Sequence, residues 1–234
     1  SPIPVADRRV HDYLIDQIGK DFGIPLICEE GGVGKRSGEP DELWFCIDEV
    51  DGTFALTAGI PTSMPMIALM GGSQPLICAM YDPFLKRLYS AERGKGAHCN
   101  GKPLRTEGAL GRKIVGISRW PKLDGGGGSG NMRIEPWPEV SNCLHRKGWE
   151  IINVGANGYM GTLVAAGRIS ASIFPGPALH DSAPLSLLVD EAKGTACDLR
   201  GKPLDFSGDK VFGHVLSASP EIRDELLGAI RPWL

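Results

Sequence analysis

Apolar residues recur along the chain with two periods. Val10, Leu14, Ile15 and Ile18 share one helical face behind Asp7, which predicts a helix. Ile24 to Cys28 is a short apolar run ending in Glu29-Glu30, and Leu43 to Ile47 is a second one ending in Asp48. Both are predicted as buried strands, joined by a glycine-rich polar loop from Gly31 to Glu42. Three more strands are expected at Met64 to Met70, Leu76 to Tyr81 and Arg87 to Ala91, with tight turns at Gly94, Gly96 and Asn100-Gly101. Residues 1–110 therefore read as an antiparallel sheet with flanking helices.

Residues 111–234 alternate strand and helix instead. Ile114 to Ile117, Ile151 to Val154, Ser170 to Phe174 and Val211 to Ser217 are strand-like. Helices are predicted over Glu139 to Lys147, Gly158 to Ala166 and Glu221 to Ile230. A further helix opens at Asp181, with Leu185, Leu188, Val189 and Ala192 on one face, Pro184 in its first turn and Gly194 at its end. Such alternation is the mark of an α/β half. Gly125 to Gly130 reads as a flexible linker by composition.

Composition narrows the function classes. The 234 residues are 42% hydrophobic and 23% charged, the balance of an ordinary globular chain. A net charge of −3 provides no global field to attract a nucleic acid polymer or an anionic membrane. An anionic substrate would need a local source of positive charge, such as bound metal. No apolar run is long enough to cross a membrane, and no signal peptide is visible. The six cysteines form no C-x-x-C pair and sit mostly in apolar runs, so they read as small buried hydrophobes in a reducing, cytoplasmic compartment.

The most informative segment runs from Trp44 to Thr53, W-F-C-I-D-E-V-D-G-T. A strand delivers Asp48 at its carboxyl end. Asp51 follows in what is expected to be a tight turn, and Gly52 permits unusual backbone angles. Two carboxylates straddling a turn can converge on cations that prefer oxygen ligands. The segment alone equally suits an acidic, solvated turn with a helix cap. Glu29 at the end of another strand and Asp181 at the start of a distant helix favour the metal reading.

With these residues in view, the chain resembles the inositol monophosphatase family of Mg2+-dependent, lithium-sensitive phosphatases. The resemblance rests on Cys28-Glu29-Glu30-Gly31, on Trp44 through Thr53, and on His180-Asp181-Ser182-Ala183, in that order. It extends to Tyr89 through Ala97, to Cys99 through Leu104, and to Gly155-Ala156-Asn157, which falls where the family has its Gly-x-Ala loop. It implies a layered α/β/α/β/α fold, α+β in residues 1–110 and α/β in 111–234, with an antiparallel first sheet and a mixed second one. The family's first helix precedes the position matching Ser1 and is absent from this sequence.

The resemblance also implies roles. Glu29, Asp48, Asp51, Asp181 and the Val50 carbonyl would hold roughly two or three Mg2+ ions, whose charge activates water and clamps a phosphoryl group. Glu30 would face elsewhere. Asp7 would orient Thr53, and this dyad together with Glu29 would serve catalysis. Backbone N–H groups of Gly52 and Thr53 would bind phosphate. Ala156, Asn157, Phe174 and His180 fall at substrate-facing positions. The implied substrate is a small-molecule phosphate ester and the implied assembly a homodimer.

Several residues depart from the family pattern. Glu49 stands where proline is usual and is expected to point to solvent, or else to make an outer metal contact. His180 replaces tryptophan, and is read either as packing or as a contact to phosphate. Phe174 replaces a glutamate that binds sugar hydroxyls, which counts against inositol phosphate as main substrate. Asn157 is a candidate substrate contact, and Ser118 and Arg119 are read either as substrate contacts or as ordinary loop residues. The Ser1-to-Asp7 opening and Gly201 to Asp205 are similar to the adenosine 3',5'-bisphosphatase branch, and fructose-1,6-bisphosphatase activity is equally open. The rival readings are a catalytically weak homologue acting as a regulatory or metabolite-binding module, and a plain anion-binding protein with a structural acidic cluster.

Overall fold

A computed structural model describes residues 5–39, 41–109, 111–118 and 137–233. In chain order its elements are α1 (Val5–Phe22), β1 (Leu26–Cys28), β2 (Leu43–Asp51), α2 (Thr53–Thr57), β3 (Met64–Gly71), β4 (Gln74–Asp82), β5 (Arg87–Glu92), β6 (Gly96–Cys99) and β7 (Lys102–Pro103). There follow β8 (Ile114–Ile117), α3 (Trp137–Arg146), β9 (Glu150–Ile152), α4 (Asn157–Ala165), β10 (Ala171–Phe174), α5 (Leu179–Glu191), β11 (Thr195–Cys197), β12 (His214–Ser217) and α6 (Pro220–Ile230). Short 3-10 turns lie at Thr106–Ala109 and Arg231–Trp233.

Strands β1 to β7 form one sheet in sequence order, and the second sheet has the order β11-β12-β10-β8-β9. Helix α1 covers the first sheet over β1 and β2. Helices α4 and α5 lie between the sheets, and α3 and α6 cover the second. The result is the five-layer α/β/α/β/α arrangement. The largest apolar cluster joins Trp44, Met64, Met66 and Met80 of the first sheet to Leu185, Leu188 and Val189 of α5, so α5 is packed into the sheet of the other half.

The first sheet departs from the expected antiparallel pattern at one edge. β1 pairs with β2 in parallel, Cys28 opposite Ile47. The connecting loop is tied by Val33 to Leu26, and Arg36 stacks on the Trp44 ring at 4.3 Å while donating to the carbonyls of Phe206, Ser207 and Gly208. Parallel pairing puts the carboxyl ends of β1 and β2 side by side, and with them Glu29 and Asp48.

β2 also runs further than its apolar stretch predicted, through Asp51, and no tight turn separates Asp48 from Asp51. Asp48 pairs with Met66 and Asp51 with Met64, so three steps on β2 match two on β3. This is a bulge of one extra residue. Successive strand side chains alternate faces, so residues three apart would otherwise point to opposite sides. The extra residue cancels that reversal, and both carboxylates share the face of Met64 and Met66, towards α4 and α5. Eight of the nine β2 residues are buried because both faces of the strand are covered. Trp44 and Cys46 pack towards α5, whereas Phe45 and Ile47 pack beneath Leu14, Ile15 and Ile18 of α1.

Other boundaries differ modestly. α1 begins before Asp7, which lies in its first turn. Pro184 falls inside α5 rather than in its first turn, because the helix opens at Leu179. Helix α5 stops at Glu191, ahead of Lys193 with φ +73° and Gly194. Strand β11 was not anticipated, being too short for a period to register, whereas α2 opens after Gly52, where a helix start was expected. Gly125–Gly130 and Arg119 lie outside the described residues. No described helix is long and apolar enough to cross a membrane.

Candidate active site

The carboxylates of Asp48, Asp51 and Asp181 each offer an oxygen within 4.8 Å of the others, and all three residues are buried. Glu29, Asp48 and His180 form an overlapping group of the same dimension. Thus the four acidic residues singled out from the sequence converge on one place, where β1, the bulge of β2 and the first turn of α5 meet. Glu29 stands at the mouth, its side chain 45% exposed. Glu30 is exposed.

Two glycines make this convergence sterically feasible. Gly52 has φ +80°, and a Cβ there would lie 2.7 Å from the Ala156 Cβ. A Cβ at Gly158 would meet the Asp51 Oδ2 at 2.9 Å and the Met66 sulfur at 2.7 Å. Both contacts bring the start of α4 against the end of β2. Asp51 then accepts from the backbone N–H groups of Asn157 at 3.0 Å and Gly158 at 2.7 Å. The first turn of a helix has unpaired N–H groups and a positive dipole end, and here a carboxylate from the other half supplies the acceptor.

Asn157 performs a second service that the sequence reading did not assign. Its side-chain amide donates to Asp181 at 3.0 Å, and the residue is 3% exposed. It is a buried bracket between two acids instead of a solvent-facing substrate contact. Ser182, next to Asp181, ties the start of α5 down: its hydroxyl donates to the Ala178 carbonyl at 3.0 Å and pairs with His214 Nδ1 at 2.8 Å. Burial holds His214 neutral, with its pKa down at about 3.

Crowding of like charge dominates the electrostatics. Asp48 is pushed well above the ordinary carboxylate range, first by burial and then by Glu29, Asp51 and Asp181. Asp51 is also raised by burial and by Asp181, with the Gly158 and Asn157 N–H groups opposing. Burial raises Asp181, and His180 and Asn157 pull the other way. Partial burial lifts Glu29 to about 7 against the opposing influence of His180, with Asp181, Glu30 and Glu49 adding to the rise. Asp48 Oδ1 is buried with no hydrogen-bond partner. Convergent, all-oxygen donors with an orphaned buried oxygen fit a hard divalent cation. His180 Nε2 lies 3.8 Å from both Glu29 and Asp181 carboxylates. It therefore lines this cluster instead of packing in the interior.

Five expectations from the sequence do not hold. Glu49 does not point to solvent: it is 1% exposed and its carboxylate is hydrogen-bonded to His11 Nδ1 at 2.5 Å, because alternation turns it towards α1. Asp7 and Thr53 make no hydrogen bond. The Thr53 hydroxyl donates to the Val50 carbonyl at 3.1 Å, the oxygen expected to face metal. Asp7 is buried, and desolvation, then Glu30 and Glu49, raise it to about 6. Phe174 is 3% exposed and packs against the His214 ring at 5.2 Å and the Gly176 backbone, so it presents nothing to a substrate. Ser118 is buried at the end of β8, its N–H bonded to the Ile173 carbonyl. Ala156 is buried against Gly52, shaping the loop by its small size.

Comparison with known proteins agrees with this geometry. The model of the inositol monophosphatase family matches residues 1–231. An inositol-1-monophosphatase of Mesorhizobium japonicum is 30% identical over 234 residues, covering 97% of this chain and 81% of that protein. A protein named Nus factor SuhB from Pasteurella multocida is 29% identical over 230 residues, covering 97% of this chain and 82% of that protein. Among solved structures, a Ca-bound IMPase family protein from Staphylococcus aureus superposes with a TM-score of 0.82 at 22% identity, covering 99% of this chain and 82% of that one. The fold, the ordered acidic motifs and the match along the chain lead to one conclusion: this protein belongs to the inositol monophosphatase family.

Proposed function

We propose that the protein is a Mg2+-dependent phosphatase that hydrolyses a phosphate monoester of a small molecule. The observation that carries this reading is the convergence of Asp48, Asp51 and Asp181 within 4.8 Å, with Glu29 beside Asp48. Glu29, Asp48, Asp51 and Asp181 would hold the cation. When bound, the cation supplies positive charge that draws the phosphoryl oxygens and acidifies water.

The chain's own residues supply the rest. Asn157 fixes the carboxylates of Asp51 and Asp181 in relation to each other, so their geometry does not depend on the cation alone. Glu29 is at the mouth beside Asp48, so it would hold the cation on the side open to water and substrate. His180 borders the same mouth and can donate to a phosphate oxygen. The N–H groups of Gly52 and Thr53 open α2 and would donate to the phosphate. The Thr53 hydroxyl holds the Val50 carbonyl, steadying the bulge.

The reading favours a substrate other than inositol phosphate, since Phe174 offers no acceptor and is buried. A sugar or nucleotide phosphate suits it better. A reducing, cytoplasmic setting goes with six cysteines that form no disulfide. A homodimer is supported by the exposed apolar side chains Ile77, Tyr81, Phe84, Leu85 and Leu88 on and between β4 and β5. The test is phosphate release from p-nitrophenyl phosphate and a panel of metabolite monoesters, with Mg2+ or with EDTA. Release that needs Mg2+ supports the proposal; no release from any ester favours a regulatory role.

A further inference from the structure

The charged group buried on the far side of β2 has no part in the phosphatase chemistry. Glu49 faces α1, where His11 Nδ1 lies 2.5 Å from its Oε1. Cys28, the last residue of β1, completes a group in which a ring nitrogen, a thiol sulfur and a carboxylate oxygen all lie within 4.8 Å of one another. Three separate elements deliver these atoms. The Glu49 side chain is 1% exposed, and its Oε2 is buried with no hydrogen-bond partner. A buried carboxylate with a free oxygen is costly unless a cation satisfies it.

We propose that His11, Cys28 and Glu49 form a second cation site that takes Zn2+. The donor set decides the metal. Mg2+ takes oxygen ligands, whereas nitrogen, sulfur and oxygen together suit a borderline-soft ion with tetrahedral preference. The His11 side chain is 20% exposed, so the group opens to solvent at α1, which provides an entry route and room for water as a fourth ligand. Binding replaces the His11–Glu49 hydrogen bond with bonds from Nδ1, Oε1 and the Cys28 sulfur to the metal; the proton between Nδ1 and Oε1 and the Cys28 thiol proton pass to solvent, and the ring carries its remaining proton on Nε2. The site stands independently of the phosphatase reading, because Glu49 and Asp48 point to opposite faces of the same strand.

Cobalt reports on it directly. The full chain, saturated with Mg2+ so that the acidic cluster is held, is titrated with Co2+ and read by near-ultraviolet absorption. A thiolate-to-cobalt charge-transfer band that saturates at a single equivalent is expected. The band should vanish in Cys28→Ser, need at least about tenfold more Co2+ in His11→Ala, and persist in Asp48→Asn. His11→Ala, at a partly exposed helix position, carries the test alone if Cys28→Ser does not fold. The proposal is overturned if no band forms, if it survives undiminished in His11→Ala, or if it is lost in Asp48→Asn. Turnover by Asp48→Asn is a separate readout, so failure of the phosphatase reading leaves this result interpretable.

Discussion

Asn157 donates its side-chain amide to the carboxylate of Asp181 at 3.0 Å, while its backbone N–H donates to Asp51 at 3.0 Å. One residue at the start of α4 thus fixes two acids that arrive from different halves of the chain. Outer partners of metal ligands commonly contribute about 10- to 100-fold to affinity or activity. Asn157→Ala keeps the backbone contact to Asp51 and removes only the bracket on Asp181. The expected outcome is a loss of that size in Mg2+ affinity with an unchanged circular dichroism spectrum, measured by titrating Mg2+ against thermal unfolding.

Gly52 is required twice over, by its φ of +80° and by the 2.7 Å approach of the Ala156 Cβ. Gly52→Ala carries both a left-handed backbone penalty and an overpacking penalty, together about 2–4 kcal/mol. Denaturant unfolding should show the loss. An Ala156→Gly change in the same background should recover the overpacking part, leaving the backbone part.

The acidic cluster sets a pH dependence with a definite sign. A carboxyl whose folded pKa exceeds its unfolded value near 4 stabilises the fold below that value and loses this contribution as pH rises through the folded pKa. Burial puts Asp48, Asp51 and Asp181 in this class, and Glu29 reaches about 7. His214 acts in the opposite direction: with its folded pKa at about 3, it costs stability as pH falls below its unfolded value near 6.5. Mg2+ competes with protons for the carboxylates but not for His214, so the difference made by Mg2+ isolates the cluster. Mg2+ should raise the Tm more at about pH 8 than at about pH 5.5, as checked by scanning calorimetry.

Phe174 provides a test of substrate class. Restoring a glutamate there, Phe174→Glu, places a carboxylate in a 3% exposed position against His214 and Gly176. A stability loss of about 3 kcal/mol is expected, with no gain of activity on inositol phosphate. A stable variant with raised activity on polyol phosphates would show that this residue does reach the substrate.

Much of the layered fold was legible because it rests on long periodic segments. The face of Leu185, Leu188, Val189 and Ala192 marked α5, and the apolar runs marked β2, β3 and β4. The four acids were found because Glu29 and Asp48 follow apolar runs, Asp51 lies three residues beyond Asp48, and Asp181 opens a helical period. What escaped depends on geometry without period. A bulge is a matter of pairing count, so the segment from Asp48 to Asp51 read as a turn. Glu49 read as exposed because a glutamate between two acids normally is; its partner His11 lies 38 positions away on a helix whose other faces are polar. Asn157 read as a substrate contact because nothing local showed that its amide meets Asp181. The parallel pairing of β1 with β2 was hidden too, since so short a run pairs either way with equal ease.

In the proposed mechanism Asp181 joins Glu29, Asp48 and Asp51 around a divalent cation, and this assembly drives hydrolysis. The most direct measurement is the rate of phosphate release by Asp181→Asn relative to the unaltered protein at saturating Mg2+, on the best ester of the panel. The account predicts a fall of at least about 100-fold with the fold intact, more than the loss of an outer partner would cause. A rate equal to that of the unaltered protein would contradict it.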